Sequence, residues 1–192
     1  MIADWPDILE FWFGAPGSSE LGRNRRQWFE KSDAFDGLIR ERFLATHESA
    51  AAGRLDGWAE RPLGALALVL TLDQFPRNAF RGTPRAFATD AQALAVARGI
   101  VARGFDATYV PVERWFAYLP FEHAEDLTAQ AESLALFDRL RGDPTSAGTL
   151  GYAMRHYALI ERFGRFPHRN AILGRTSTPE ELAFLATPGS SF

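Results

Sequence analysis

Residues 62–74 read PLGALALVLTLDQ, and this stretch decides the fold class. Proline is favoured in the first turn of a helix, and almost all of the residues that follow it here are apolar. The run predicts a buried helix that begins at Pro62, continues through Leu72 and stops before Pro76, because proline removes a backbone hydrogen bond inside a helix. Its apolar part, residues 63–72, has about half the length that a membrane span needs, so we expect a core helix.

Helical periodicity continues on both sides of this core helix. Asp4 and Gly14 bound a short first helix, and Ser32 or Asp33 begins a long second one. Later helices are predicted from Thr89 to Gly104, at 112–119, at 122–140, at 152–163 and from a capping box that begins at Thr178. No segment alternates as a strand would, so the sequence predicts an all-α fold of stacked antiparallel helical hairpins.

The length and composition of the chain are those of one globular domain. It has 192 residues, of which 46% are hydrophobic and 23% charged. We expect a single domain over residues 1–192, with a loose tail at 187–192. The net charge of −3 argues against binding to nucleic acid or to a membrane surface. The absence of cysteine excludes disulfides and a thiol nucleophile, and a cytoplasmic location is the default.

One motif occurs twice in the chain. Residues 75–82 read FPRNAFRG and residues 166–174 read FPHRNAILG, so the second copy carries an inserted His168. Each copy follows an apolar helix that its proline is expected to end. One interpretation is a pair of similar turns whose arginines bond the last carbonyls of a helix.

The other interpretation is a site for an anionic small molecule or a peptide terminus. Arginine offers a planar fork of donors for a carboxylate or phosphate, and asparagine adds a donor and an acceptor. If the two preceding helices run parallel, both turns lie on one rim and share a pocket. The ligand-binding candidates in that pocket are Arg77, Asn78, His168, Arg169 and Asn170.

Asp73 is a further ligand-binding candidate. It lies at the C-terminal end of the core helix, where the macrodipole disfavours a negative charge, so it needs a partner or a function. The alternative is a structural salt bridge, with either Arg77 or Arg169.

Residues 120–126 read PFEHAED and hold the candidate catalytic pair. Glu125 and Asp126 suit the first turn of a helix, where the dipole favours acids. Glu122 and His123 are less well explained in this way. A carboxylate beside an imidazole is the minimum for general acid–base catalysis, so these two residues indicate a hydrolase in which they act as the general base.

We expect no metal and no cofactor. The four histidines lack the spacing of zinc ligands, and His156 lies on the apolar stripe of its helix, as a core histidine would. There is no nucleophile elbow, phosphate-binding loop or dinucleotide glycine motif. Three hypotheses stand: an anion-binding protein, a hydrolase, and a helical scaffold for protein–protein interaction.

Several long stretches resemble the DUF924 family, a set of bacterial and some eukaryotic proteins without an established function. The resemblance covers about residues 8–185 and implies an all-helical, tetratricopeptide-like fold, but no activity. This chain differs from the family at Ala124, where the family more often has serine beside the histidine. The stretches that carry the resemblance are LEFWFG at 9–14, WF at 28–29, LDQFPRN at 72–78, YLPFEHAED at 118–126, RFGRFPHRN at 162–170, and LGR at 173–175 with STPEE at 177–181.

Overall fold

The computed structural model describes residues 1–190, and over this range the fold is all-helical, without strands. The predicted all-α class is therefore confirmed. Short 3₁₀ turns join the main helices. These are α1 (Trp5–Phe13), α2 (Asp33–Ala51), α3 (Pro62–Val69), α4 (Phe75–Ala79), α5 (Asp90–Ala102), α6 (Pro111–His123), α7 (Leu127–Asp138), α8 (Thr149–Phe163) and α9 (Pro179–Leu185).

Helix α3 lies at the centre of the core, as its apolar sequence predicts. Every residue from Gly64 to Val69 is buried, and α1, α5 and α6 pack against this helix. The ring of Trp12 in α1 is fully buried against Trp28 and Phe116. Burial of such large aromatic side chains contributes much of the apolar area that the core removes from water.

The prediction that Pro76 ends the core helix is wrong. A single π-helical turn, Leu70–Gln74, follows α3 and leads directly into α4, in which Pro76 occupies the first turn. Proline has no N–H for the carbonyl of Leu72, four residues earlier, but the Thr89 hydroxyl donates to that carbonyl instead. The first FPRNA motif is therefore part of a helix and not a terminating turn.

The predicted break at residue 120 is also wrong. Helix α6 passes through Pro120 and ends at His123, so Glu122 and His123 lie in its last turn. The next helix, α7, begins at Leu127 and is capped by Asp126, whose Oδ2 accepts a hydrogen bond from the Ala129 N–H. The sequence prediction placed Glu122 at the start of a helix because proline usually marks such a boundary.

The C-terminal half continues as consecutive packed helices. Helix α6 packs on α7, and α7 packs on α8. At the end of the described chain, the hydroxyls of Thr187 and Ser190 bond carbonyls of α9, and the last two residues of the predicted loose tail lie outside the described range. Over residues 1–190, no helix is both long and apolar enough to cross a membrane. The tetratricopeptide-like arrangement stays an expectation.

Candidate functional site

Asp73 lies at the centre of a buried polar cluster. The π-helical turn places its carboxylate, which is 0% exposed, between two neighbouring elements. Oδ1 lies 2.8 Å from Nδ1 of His123 in α6 and 3.2 Å from Nη1 of Arg77 in α4. The side-chain amide of Gln74 donates to Oδ2 at 2.6 Å. A π-helical turn is a frequent feature of functional sites because it redirects side chains from a helix.

Asp90 joins the two arginines of the repeated motif. It lies in the first turn of α5, and its two carboxylate oxygens accept bidentate hydrogen bonds from Arg77 at 2.8 and 2.9 Å. Nη1 of Arg169, in the 3₁₀ turn Pro167–Arg169, lies 3.3 Å from the same carboxylate. The structure therefore brings the two copies of the motif together at their arginines.

Arg169 is the least satisfied member of this cluster. Its guanidinium carbon lies over the rings of Phe87 and Phe166, at 4.6 and 4.5 Å from their centroids. Its side chain is only 7% exposed, and its Nε is buried without a hydrogen-bond partner. Among the described residues, the guanidinium hydrogen-bonds through Nη1 alone. Burial, reinforced by Arg77, lowers the pKa of Arg169 to about 10, so the group stays charged at neutral pH.

The Asp73–His123 pair consists of a carboxylate and a neutral imidazole. Burial alone would raise the pKa of Asp73, but Arg77 and His123 outweigh it and hold the pKa far below its usual range. Burial and Arg77 lower the pKa of His123, and together they exceed the opposing effect of Asp73. The 2.8 Å contact is therefore an N–H···O bond that fixes the tautomer of the imidazole.

A second acid–histidine pair lies next to the first. Oε1 of Glu122 is 3.1 Å from Nδ1 of His156 in α8, and Nδ1 also bonds the carbonyl of Tyr152. Burial, with a smaller effect of Asp73, raises the pKa of Glu122 to about 8. Burial lowers the pKa of His156 to about 3. Both groups are uncharged at neutral pH, so this contact is not an ion pair.

The asparagines of the motif lie away from this cluster. The Asn78 oxygen accepts from Arg81, beside a cavity of about 430 Å³ that Lys31 and Arg40 also line. Asn170 bonds the Ser177 hydroxyl. The two motifs were predicted to share a pocket through their arginines and asparagines. In the structure only the arginines come together, because one motif is helical and the other is a 3₁₀ turn.

The segment that carries Arg169 is fixed by Glu125. Its carboxylate accepts from the Phe166 N–H at 2.8 Å and forms a bidentate pair with Arg175. His168, also in this segment, is partly buried, and burial together with Arg169 lowers its pKa to about 4. Glu125 was predicted to lie in the first turn of a helix, but it lies in the link between α6 and α7 and joins this link to the second motif.

Sequence reasoning missed two members of the cluster. Asp90 was not singled out because an acid in the first turn of a helix is already explained by the macrodipole. Phe87 gave no signal, since a single aromatic residue in a short turn is ordinarily a packing residue. Within residues 1–190, no group of three or more histidine, aspartate or glutamate side chains is placed to hold a metal ion.

The fold and the site define a small all-helical protein with a buried arginine–aspartate–histidine cluster. Residues 8–189 match the family described as "Bacterial protein of unknown function (DUF924)", and the chain belongs to this family. It is similar to the solved structure titled "Structure of Protein of Unknown Function ATU0120 from Agrobacterium tumefaciens", with 44% identity and a TM-score of 0.83 over 95% of this chain and 96% of that one. No curated protein matches the chain.

Proposed function

We propose that this protein binds a small molecule through a carboxylate group, with Arg169 as the anchor. The observation that carries the proposal is the unpaired Nε of Arg169, whose side chain is 7% exposed and whose guanidinium carbon lies over two aromatic rings. A buried donor without a partner costs free energy in the unliganded protein. Nε and Nη2 lie on the same side of a guanidinium, and together they match the two oxygens of a carboxylate.

The charges of the cluster favour a carboxylate over a phosphate. The guanidinium of Arg77 is already bonded to Asp73 and Asp90, so it has few donors left for an added anion. A phosphate dianion would meet one available cation beside two carboxylates. A single negative charge on a planar group fits the remaining fork better.

The aromatic rings around Arg169 support a ligand with an apolar body. The guanidinium carbon of Arg169 lies over the rings of Phe87 and Phe166, so these two side chains form an apolar wall beside the anchor. Small-molecule sites commonly combine an apolar wall with a few polar groups that fix orientation. We place this binding protein in the cytoplasm, since it needs no disulfide and has no cysteine.

Thermal unfolding with and without sodium hexanoate tests the proposal. Hexanoate should raise the melting temperature of the wild type, since a ligand at 100 times its Kd adds about 2.7 kcal/mol of stability. Hexanol, which has the same chain without the charge, should have a smaller effect. The variant R169Q should lose the hexanoate response, and R162Q, a change at an exposed arginine of α8, should retain it.

Each other result has a definite meaning. A larger response to inorganic phosphate than to hexanoate would reject the carboxylate and favour a phosphate ligand. The absence of a response to either anion would reject anion binding at this site. The motifs would then serve a helical scaffold for protein–protein interaction.

A further inference from the structure

The imidazole of His123 is fixed at one nitrogen and unbonded at the other. Nδ1 lies 2.8 Å from Oδ1 of Asp73, and His123 makes no hydrogen bond through Nε2 to any described residue. A carboxylate can only accept, so Nδ1 carries the proton and Nε2 carries the lone pair. The His123 side chain is 14% exposed, whereas that of Asp73 is fully buried.

This arrangement is that of a general base. The buried carboxylate orients the imidazole and stabilises the imidazolium that would form on proton transfer. Burial and Arg77 lower the pKa of His123 against the opposing effects of Asp73 and Asp90, so the imidazole is neutral and able to accept a proton. Catalysis uses this lone pair only if a bound substrate lies beside it.

The cluster has no side-chain nucleophile of its own. The side chains bonded to Asp73 or Asp90 belong to Gln74, Arg77, His123 and Arg169, and none of these has a hydroxyl or a thiol. The residue after His123 is Ala124. A general base at this site therefore has water as its nucleophile.

On the basis of the carboxylate binding proposed above, we propose that this site hydrolyses an ester bond in a small substrate whose carboxylate is held by Arg169. Nε2 of His123 takes a proton from water while the water oxygen bonds to the acyl carbon. The bond to the alcohol oxygen then breaks, and the imidazolium returns its proton to that oxygen. One water is consumed, and a carboxylic acid and an alcohol are released, so no oxidant or cofactor is required.

The contacts of the cluster bear on the type of substrate. Arg169 is joined to His123 through Asp90, Arg77 and Asp73, so the proposed substrate carries its carboxylate and its reacting carbonyl as two separate groups. The guanidinium of Arg77 contacts the carboxylates of Asp73 and Asp90 and also bonds the Asp73 carbonyl, which leaves it little capacity to stabilise an oxyanion. An ester needs less of this stabilisation than an amide does, because its carbonyl is more electrophilic.

Two chromogenic esters of equal chain length test this activity on the whole protein. They are mono-4-nitrophenyl adipate, which carries a free carboxylate, and 4-nitrophenyl hexanoate, which does not. The wild type should hydrolyse the adipate ester with a kcat/KM roughly tenfold to a hundredfold higher, as expected for one charged hydrogen-bonded contact. H123A should lower kcat by a factor of about 10² to 10⁴, and added imidazole should restore part of the rate.

The variants separate a catalytic role from a structural one. R169K should raise KM for the adipate ester by a larger factor than KM for the hexanoate ester, and R162Q should match the wild type on both. If H123A fails to fold, the comparison of the two esters on the wild type and R169K still tests the proposed ester hydrolysis. Binding of hexanoate without turnover of either ester would overturn the hydrolase and leave the binding function intact. Turnover that is equal for the two esters, or unchanged in folded H123A, would also overturn it.

Discussion

Asp73 and His123 are 50 residues apart in sequence and 2.8 Å apart in space, from Oδ1 to Nδ1. The contact joins the π-helical turn after α3 to the last turn of α6. The buried carboxylate of Asp73 lies inside a helical run that continues into α4, and His123 in the last turn of α6 supplies a partner for it.

The change D73N tests how much this charge contributes to stability. Removing it leaves Arg77 buried with Asp90 as its remaining charged partner, so we expect unfolding free energy to fall by about 3 kcal/mol, the lower end of the range for a broken buried pair. Urea unfolding at neutral pH measures the change. D33N, at an acid with 92% side-chain exposure, is the control and should behave as the wild type. Equal stability of D73N and the wild type would contradict the assigned role of Asp73.

Glu122 predicts a specific dependence of stability on pH. Its pKa of about 8 in the folded protein exceeds the unfolded value, so its contribution is complete at low pH and is lost as pH rises through 8. The pKa values of His123, His156 and His168 are lowered, so their contributions are lost only on acidification. Unfolding free energy should fall by about 1 kcal/mol between pH 7 and pH 8.

The variant E122Q isolates this effect because glutamine does not titrate. Urea unfolding of E122Q at the same two pH values should give a smaller loss of stability than in the wild type. An identical loss in both proteins would assign the dependence to another group.

The sequence predicts the helices better than it predicts their ends. The apolar run at 62–74 and the capping box at Thr178 are local signals, and both elements form as expected. Pro76 and Pro120 were misleading because a proline ends a helix only if nothing else satisfies the freed carbonyl. At Pro76 the Thr89 hydroxyl does so from a different element, and this contact depends on tertiary structure.

The residues of the candidate site, like the ends of the helices, could be predicted only in part from the sequence. The repeated motif pointed to Arg77 and Arg169, which the structure brings to one carboxylate. The asparagine after each arginine follows the local backbone, and the two copies have different backbones, so Asn78 and Asn170 diverge. Asp90, which joins the two arginines, occupies a position where an acid is unremarkable in sequence.

Trp12 tests the core independently of the site. The side chain is fully buried among aromatic rings, so W12A should lower unfolding free energy by about 3 to 5 kcal/mol. Its indole Nε1 is buried without a hydrogen-bond partner in the described chain, so W12F loses no bond and should cost much less. Urea unfolding of W12A and W12F measures the two losses of unfolding free energy. If W12F were as destabilised as W12A, the indole N–H would have a role that this packing does not explain.

The negative charge of Asp90 opposes an anionic ligand at Arg169, and D90N tests this repulsion. The substitution removes a negative charge that lies 3.3 Å from Nη1 of Arg169 and leaves an amide oxygen able to accept one hydrogen bond. With two arginines and one carboxylate remaining, the site gains a net positive charge, so hexanoate should bind roughly tenfold more tightly, with a stronger dependence on salt. Isothermal titration calorimetry at two ionic strengths measures both effects. Weaker binding by folded D90N would show instead that Asp90 acts mainly by holding the Arg169 guanidinium in place, and that its charge does not oppose the ligand.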